Sequence, residues 1–372
     1  MQSVFNKRQE RLETAMKREG YDSIVLTPGP LLHYLTGLSL GISERPIVAF
    51  FSTSVEPVFV LPTLEKEQLT SLPFRYECFN YGENPSEWQF SFDQAAAYCS
   101  IFDRSIGIEP QAMRVFVLNH LRESAWTTKF SDAKAVLEEF RSRKDDDELS
   151  KMRKAVKIAE DALRQTIRDT EAGQTEIEIA SRLFSNLLTH GSAGPLPFSP
   201  IVAGGPNSAN PHATPGQRKI QNGDILLVDW GASNENYCSD LTRVFSVGEP
   251  EAEMKKVAEV VLKANEAALK RAAPGVAVSA IDIAARSVIE DAGYGEYFTH
   301  RTGHGLGLAV HEPPYIRSSA DTILEPGMTF TIEPGIYLSG KGGVRIEDDI
   351  LVTESGAESL STMERRLTNI GE

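Results

Sequence analysis

Residues 224–245 read DILLVDWGASNENYCSDLTRVF. Both ends of this stretch are rich in β-forming residues and they enclose a polar centre, which predicts a β-hairpin. If the turn centres on Asn234 and Glu235, Asp229 lies opposite Asp240. Directly opposed residues of an antiparallel pair have Cβ atoms about 5 Å apart. Two carboxylates at that distance repel each other, so a cation between them is the expected resolution.

A second hairpin carries a second pair of acids. Residues 328–338 and 343–353 read as strands joined by the tight turn SGKG. This register places Glu333 opposite Glu347. Both acids interrupt apolar strand sequence, which favours a metal-binding pair over the alternative in which one acid of each pair faces water.

Three histidines cluster near a glycine-rich run. Residues 299–314 read THRTGHGLGLAVHEPP and include His300, His304 and His311, in a chain with seven histidines. The glycines that alternate around His304 permit close backbone approach. A lone histidine is more often a core or loop residue, but a cluster favours a ligand. Carboxylates together with imidazole suit Mn, Co, Fe or Zn better than Ca or Mg.

Six segments resemble those of the metal-dependent Xaa-Pro peptidases, the family of prolidase and aminopeptidase P within the methionine-aminopeptidase-like group. They are VDWGA at 228–232, YCSDLTR at 237–243, TGHGLG at 302–307, VHEPP at 310–314, IEPG at 332–335 and VRIED at 344–348. More weakly, residues 21–27 and 33–37 resemble the accessory domain of that family. The resemblance implies an α+β fold, with a C-terminal pita-bread (creatinase/aminopeptidase) domain and a smaller N-terminal α/β creatinase-like domain.

The chain of 372 residues is long enough for two domains. Residues 1–140 alternate helical and strand patterns, which predicts an α/β accessory domain. The charged stretch 141–150 is interpreted as a linker and helix start rather than a partner-binding tail. Residues 151–372 are then the catalytic metallopeptidase domain. Its predicted helices are one that begins at a capping box of Thr175 and Glu178 and ends near Leu188, and two more over 251–272 and 279–292.

Composition limits the class of protein. The formal net charge of −14 argues against nucleic acid or an anionic membrane as a partner. No apolar run approaches the roughly 20 residues that span a bilayer, and the polar start is unlike a signal peptide, so a cytoplasmic protein is expected. Cys78, Cys99 and Cys238 are odd in number and widely spaced, which fits a reduced compartment.

The resemblance implies a role for each candidate ligand. Asp229 chelates one of two divalent ions, and Asp240 and Glu347 bridge both. His304 and Glu333 complete the second ion, and Glu333 is also the expected general base. Four carboxylates balance two divalent ions, so the cluster holds a bridging water as hydroxide, which attacks the peptide carbonyl. Mn and Co are the expected metals, with Zn or Fe as alternatives.

The resemblance also implies residues around the ligands. His212 contacts the substrate near the proline, although it can be interpreted as a turn histidine beside a proline. His311 stabilises the tetrahedral oxyanion, and His300 lines the pocket. Arg345 lies on the same strand face as Glu347 and orients its carboxylate, together with Tyr337 on the paired strand, unless it forms a plain cross-strand ion pair.

The implied substrate is a small peptide with proline at its second position, and the implied assembly is a homodimer. Many prolidase-like relatives carry an arginine four residues after His311, whereas this chain has Tyr315 there and Arg317 two positions later. Xaa-Pro dipeptidase and Xaa-Pro aminopeptidase therefore stay open. The alternative is a metal-dependent hydrolase or lyase of a non-peptide or cyclic small molecule. A metal-free creatinase-like enzyme or binding domain is disfavoured because all five ligand positions are filled.

Overall fold

The structure is a computed structural model that describes residues 3–370. The chain divides into two compact units between Phe140 and Arg141, where the linker is predicted to begin. Among the residues described, no helix is both long and apolar enough to cross a membrane.

The first unit is an α/β fold, as predicted. Its strands are β1 (Ser23–Leu26), β2 (Val48–Ser52), β3 (Val58–Pro62), β4 (Glu77–Tyr81), β5 (Ser105–Ile108) and β6 (Lys129–Asp132). Its helices are α1 (Val4–Glu19), α2 (Pro30–Thr36), α3 (Trp88–Tyr98), α4 (Val115–Ser124) and α5 (Lys134–Ser142), with 3-10 turns at Thr63–Ser71 and Pro85–Glu87. The strands form a mixed sheet of order β4-β3-β2-β1-β5-β6. Apolar side chains of this sheet share a core with α3 and α4.

The second unit is α+β. Its helices are α6 (Asp146–Arg168), α7 (Glu176–Thr189), α8 (Ala252–Arg271) and α9 (Val278–Asp291), with 3-10 turns at Gly205–Ala209 and Gly295–Tyr297. Its strands are β7 (Ile201–Gly204), β8 (Ile225–Trp230), β9 (Ser233–Asn234), β10 (Tyr237–Cys238), β11 (Leu241–Ser246), β12 (Gly303–Gly305), β13 (Glu312–Ile316), β14 (Thr329–Ile332), β15 (Gly335–Leu338), β16 (Gly342–Arg345), β17 (Asp348–Val352), β18 (Ala357–Ser359) and β19 (Thr368–Asn369). The capping box of Thr175 and Glu178 is present, and the three helices predicted here are confirmed.

Strand β8 belongs to two cores at once. Ile225 and Leu227 lie in the apolar cluster that includes α8 and α9. Leu226 and Val228 lie in the cluster that includes α6 and α7. A strand that is buried on both faces reads as an uninterrupted apolar run, and the acid that ends this run, Asp229, therefore sits deep in the unit.

The second predicted hairpin is divided into two parts. The continuous strands predicted over 328–338 and 343–353 are wrong, because each is broken near its centre. Strands β14 and β17 belong to a five-stranded sheet of order β13-β12-β14-β17-β18, whereas β15 and β16 pair separately. Both pairs keep the predicted register, with Ile332 opposite Asp348 and Gly335 opposite Arg345. Glu333 and Glu347 thus lie at the break.

Candidate metal centre

A cavity in the second unit collects nearly all of the predicted site residues. Its volume is about 750 Å³, which is within the range of small-molecule sites. Its lining includes Asp229, Asp240, His304, Glu333 and Glu347, together with His212, His300, His311 and Arg345. The remaining predicted residue, Tyr337, is buried. Its hydroxyl accepts a hydrogen bond from Arg345 and shares another with His300, both of which line the cavity.

The first hairpin places two acids on this cavity with a different register from the predicted one. Asp229 pairs with Thr242, and Asp240 directly precedes β11, so the prediction that Asp229 opposes Asp240 is wrong. The tight turn uses Glu235 and Asn236, whose φ angles are 48° and 67°, one position later than predicted. The strand partner of Asp229 therefore shifts by two residues, from Asp240 to Thr242. Because side chains alternate with a period of two, both acids stay on the cavity side.

Thr242 joins the two carboxylate hairpins. Its backbone N–H donates to the carbonyl of Glu347 at 3.4 Å, and the N–H of Glu347 donates to the carbonyl of Thr242 at 3.1 Å. Its hydroxyl donates to Oε2 of Glu347 at 2.6 Å. Since Thr242 is also the strand partner of Asp229, one residue fixes an acid of each hairpin relative to the other.

His304 presents one ring nitrogen to the acids. Its Nδ1 lies 3.1 Å from the carbonyl oxygen of Gly305, so we assign the N–H to Nδ1. Its Nε2 lies 3.2 Å from Oε1 of Glu333 and 3.6 Å from Oδ2 of Asp240. A backbone carbonyl that holds Nδ1–H leaves Nε2 as the ligand atom, as in histidines that bind metal ions.

The glycines beside His304 are required by packing. A Cβ atom on Gly303 would lie 1.8 Å from the carbonyl oxygen of Thr331, and one on Gly305 would lie 2.2 Å from that of Pro313. The close approach that the sequence predicted is therefore an approach of neighbouring strands, which lets β12 lie between β13 and β14.

We expect Gly303→Ala to displace His304 and to destabilise the second unit by about 2 kcal/mol or more, because the clash is with backbone. The measurement is denaturant unfolding together with metal titration. Gly356→Ala is the matched control, since a Cβ there meets open space, and its effect should stay within about 0.5 kcal/mol. Equal stability of the two variants would contradict the packing argument.

Burial raises the pKa of three of the acids. Burial, followed by the charge of Glu347, raises the pKa of Asp240 well above its usual value. Burial and the charge of Glu333 likewise raise the pKa of Glu347 well above its usual value. Burial also raises the pKa of Asp229, whose Oδ1 has no hydrogen-bond partner among residues 3–370. Such crowding favours a bound cation.

Three of these residues offer ligand atoms at mutually suitable distances. One atom each of Asp240, His304 and Glu347 lies within 4.8 Å of the other two. The donors are carboxylate oxygens and an imidazole nitrogen, which suit Mn, Co, Fe or Zn. The residues present therefore fit a divalent metal ion.

The pKa of Glu333 is lowered, whereas those of the other three acids are raised. Burial raises its pKa, but in the metal-free protein, with His304 protonated on both ring nitrogens, the hydrogen bond from His304 and the positive charges of His304, His300 and Arg345 outweigh burial and lower the pKa to about 2. Its carboxylate is thus ionised at neutral pH.

Arg345 is the buried cation that holds the ligand cluster. Its Nη2 donates to Oδ2 of Asp229 at 2.5 Å. Its Nη1 donates to the hydroxyl of Tyr337 at 2.8 Å, and its Nε donates to the hydroxyl of Thr242 at 3.1 Å. The sequence predicted that Arg345 orients Glu347. Its hydrogen-bonded carboxylate is that of Asp229, and the hydroxyl of Thr242 lies between Arg345 and Glu347.

The other predicted histidines occupy distinct places around the cavity. The Nδ1 of His300 lies 2.8 Å from the carbonyl of Arg301, and its Nε2 lies 2.9 Å from the hydroxyl of Tyr337. The ring of His311 meets that of His304 edge-on, with centroids 4.3 Å apart. His212 is exposed and also lines the cavity. Desolvation and the nearby His304 and Arg301 lower the pKa of His311 to about 4, so its ring is neutral at pH 7.

Glu312, next to His311, lies in a buried ion cluster. Its carboxylate accepts hydrogen bonds from Nζ of Lys144 at 2.8 Å and Nη2 of Arg141 at 2.5 Å, and from a backbone amide of its own loop at 3.3 Å. The side chains of Lys144 and Glu312 are 1% and 2% exposed. The segment 141–150, predicted as a linker, thus contacts the loop that carries His311.

Sequence reasoning missed two residues of the site. Thr242 holds Glu347, as described above, and Asp349 accepts the backbone N–H of Asp240 at 3.2 Å on both carboxylate oxygens. Each lies two positions from a predicted ligand, and the strand period of two would have placed both on the ligand side. Threonine does not signal metal binding by itself, and the sequence alone does not distinguish Asp349 from the neighbouring acid Asp348.

Two family models match this chain. The model described as metallopeptidase family M24 matches residues 150–354. The model described as the creatinase/prolidase N-terminal domain matches residues 8–143.

Individual relatives match over nearly the whole chain. The uncharacterized peptidase SERP1271 of Staphylococcus epidermidis is 35% identical over 96% of this chain and 99% of its own. The crystal structure of a dipeptidase from Pyrococcus horikoshii OT3 has a TM-score of 0.91 and 38% identity, covering 97% of this chain and 99% of that one. The recombinant prolidase from Thermococcus sibiricus has a TM-score of 0.93 and 35% identity, covering 99% and 100%.

Proposed function

This chain belongs to metallopeptidase family M24, and on that basis we propose that it is a metal-dependent Xaa-Pro peptidase. It cleaves the peptide bond between an N-terminal residue and a following proline. The observation that carries the proposal is the convergence of Asp229, Asp240, His304, Glu333 and Glu347 on one buried cavity. The preference for proline is supported by the similarity to the Thermococcus sibiricus prolidase.

In this proposal the cavity binds two divalent ions. Asp229, Asp240, His304, Glu333 and Glu347 would hold them. When bound, the ions would neutralise the four carboxylates and lower the pKa of a water molecule toward neutrality. Arg345 holds the carboxylate of Asp229 and Thr242 holds that of Glu347. These hydrogen bonds fix the orientation of the ligand oxygens.

Glu333 transfers the proton. Its carboxylate accepts a proton from the attacking water at a carboxylate oxygen. The ring nitrogen of the proline leaves as a secondary amine, which must gain a proton as the C–N bond breaks. Glu333 delivers that proton, so it ends the cycle ionised again.

The remaining residues bind the substrate. The neutral ring of His311 lies beside His304 and donates a hydrogen bond to the carbonyl oxygen as negative charge develops there. His212 lines the cavity together with Pro197, Phe198 and Ile201. The last three are apolar side chains, which suit contact with a proline ring.

The proposal is tested by incubating Mn-loaded and Co-loaded protein with Ala-Pro, Ala-Pro-Ala, Ala-Ala and Ala-Ala-Ala and measuring release of alanine. We expect cleavage of a proline-containing peptide, no cleavage of Ala-Ala, and loss of activity with a chelator. Cleavage of Ala-Pro alone identifies a dipeptidase, and cleavage of Ala-Pro-Ala identifies an aminopeptidase. Inactivity toward all four peptides with metal bound would refute the proposal and point to a non-peptide substrate.

A further inference from the structure

Asn265 is a polar residue on the apolar face of helix α8. This face packs into the core through Val257, Val261, Ala264 and Ala268. Asn265 follows the same helical spacing and is 1% exposed. Its Oδ1 has no hydrogen-bond partner among residues 3–370. Because an unpaired buried oxygen is unfavourable, packing alone does not account for an asparagine at this position.

The amide nitrogen of Asn265 faces three acceptors. It donates to the carbonyl of Ile332 at 3.1 Å and to the carbonyl of Ile346 at 3.2 Å. It also lies 3.4 Å from Oδ2 of Asp348. Three acceptors around one end of the amide identify that end as the NH2 group. An NH2 group has two hydrogens and the contact with Asp348 is the longest, so the two backbone carbonyls are its main acceptors.

These two carbonyls directly precede two of the predicted metal ligands. Ile332 is followed by Glu333, and Ile346 is followed by Glu347. Both pairs of residues lie where the strands are broken and their halves join different partners. Backbone groups at such a break need partners other than those of a continuous ladder. Asn265 supplies the donor for both carbonyls at once.

The same two peptide groups are also held at their nitrogen atoms. The N–H of Glu333 donates to the carbonyl of Thr302 at 2.8 Å, and the N–H of Glu347 donates to the carbonyl of Thr242 at 3.1 Å. A peptide group is planar, so a bond at its oxygen and another at its nitrogen fix its orientation. The Cα atoms from which the two carboxylates project are thereby fixed as well.

We infer that Asn265 is a positioning residue that sets the separation of Glu333 and Glu347 for the binding of divalent metal ions. The inference rests on the proposed function and adds to it a residue that acts through the backbone, one peptide group away from each ligand. Partners that orient metal ligands change metal affinity or activity by about 10- to 100-fold when they are replaced. The alternative is that Asn265 only attaches α8 to the strands, in which case its replacement changes stability and not the metal centre.

The test compares metal-free native protein with Asn265→Ala and Asn265→Leu by calorimetric titration with MnCl2. Both variants lack the donor, and leucine fills the space that alanine leaves open, so packing is separated from hydrogen bonding. We expect the affinity for Mn to fall by about 10- to 100-fold in both. The visible absorption of the Co-loaded variants should differ from that of the native protein, because the ligand geometry around the ion changes. Asn265→Gln keeps an NH2 group and should recover part of the affinity.

Kinetics at saturating metal provide a second readout. Asn265 bonds backbone carbonyls and not substrate, so both donor-free variants should lower kcat for Ala-Pro by about tenfold or more, with KM nearly unchanged. Asn186→Ala is the matched control. Asn186 is 8% exposed on α7, and its Nδ2 donates to the hydroxyl of Thr166 at 2.9 Å. Its replacement should lower the melting temperature and leave the affinity for Mn within about twofold.

Thermal unfolding establishes that each variant is folded. Native affinity for Mn in Asn265→Ala and Asn265→Leu would overturn the inference and leave the proposed function intact. An equal loss of affinity in Asn186→Ala would also overturn it, because general destabilisation would then explain the effect. Failure of the native protein to bind Mn would overturn the proposed function together with the inference. Native binding of Mn without cleavage of Ala-Pro or Ala-Pro-Ala would overturn the peptidase activity alone.

Discussion

Replacement of Glu347 by glutamine should abolish metal binding and peptidase activity and still stabilise the metal-free protein. The amide oxygen keeps the hydrogen bond from Thr242, whose donor lies 2.6 Å from the native carboxylate. It removes a negative charge from a cluster in which burial and the charge of Glu333 raise the pKa of Glu347 well above its usual value. Metal ions supply several kcal/mol to such reactions, so we expect a fall in kcat/KM of about a thousand-fold or more.

Three measurements on Glu347→Gln test this expectation. Metal content by mass spectrometry should fall, hydrolysis of Ala-Pro should disappear, and the melting temperature without metal should rise. Glu358→Gln is the control, because Glu358 is 46% exposed and pairs only at the surface with Arg153. Full metal content with full activity would show that Glu347 is no ligand, and a lower metal-free melting temperature would show that the carboxylates do not repel.

Replacement of Arg345 by methionine should be the most destabilising change in the site. Arg345 is 3% exposed and bonds Asp229, Tyr337 and Thr242. Removal of one partner of a buried ion pair costs about 3–5 kcal/mol, because the remaining charge stays buried without compensation. We expect a loss of that size in metal-free protein, measured by denaturant unfolding, and a smaller loss with metal present, because a cation then neutralises Asp229.

A double-mutant cycle identifies the cause of that loss. Asp229→Asn removes the charge that Arg345→Met strands, so the metal-free double variant should be more stable than Arg345→Met alone. Arg345→Lys should recover only part of the stability, since one ammonium group cannot reach three partners in fixed directions. Additive losses in the double variant would show that packing, and not the buried charge of Asp229, accounts for the effect.

The sequence was sufficient to identify the four acids and the histidine that line one cavity. Acids that interrupt apolar strand sequence, such as Asp229 and Glu333, are buried with the strand. A buried carboxylate needs polar or charged partners, so such acids are expected at a shared polar site. The alternation of glycines around His304 likewise indicated close packing. The acids within strands and the glycines around His304 are both signals within short stretches of sequence. A hairpin joins neighbouring strands in few possible registers, so such stretches suffice to predict it.

The details that escaped prediction depend on more distant contacts. The turn at Glu235 and Asn236 competes with one centred a residue earlier, and composition alone does not decide between them. The break at Glu333 and Glu347 arises because the two halves of each strand join different partners. Thr242 has no distinctive chemistry, and its role exists only where the two hairpins meet.

The buried cluster of Lys144, Arg141 and Glu312 has a consequence for truncation. A shortened protein that starts at residue 151, the predicted first residue of the catalytic domain, would lack both cations. It would leave the carboxylate of Glu312 uncompensated beside His311, although every predicted catalytic residue would still be encoded. A truncated protein that contains the second unit alone should therefore begin before Arg141 and not at residue 151.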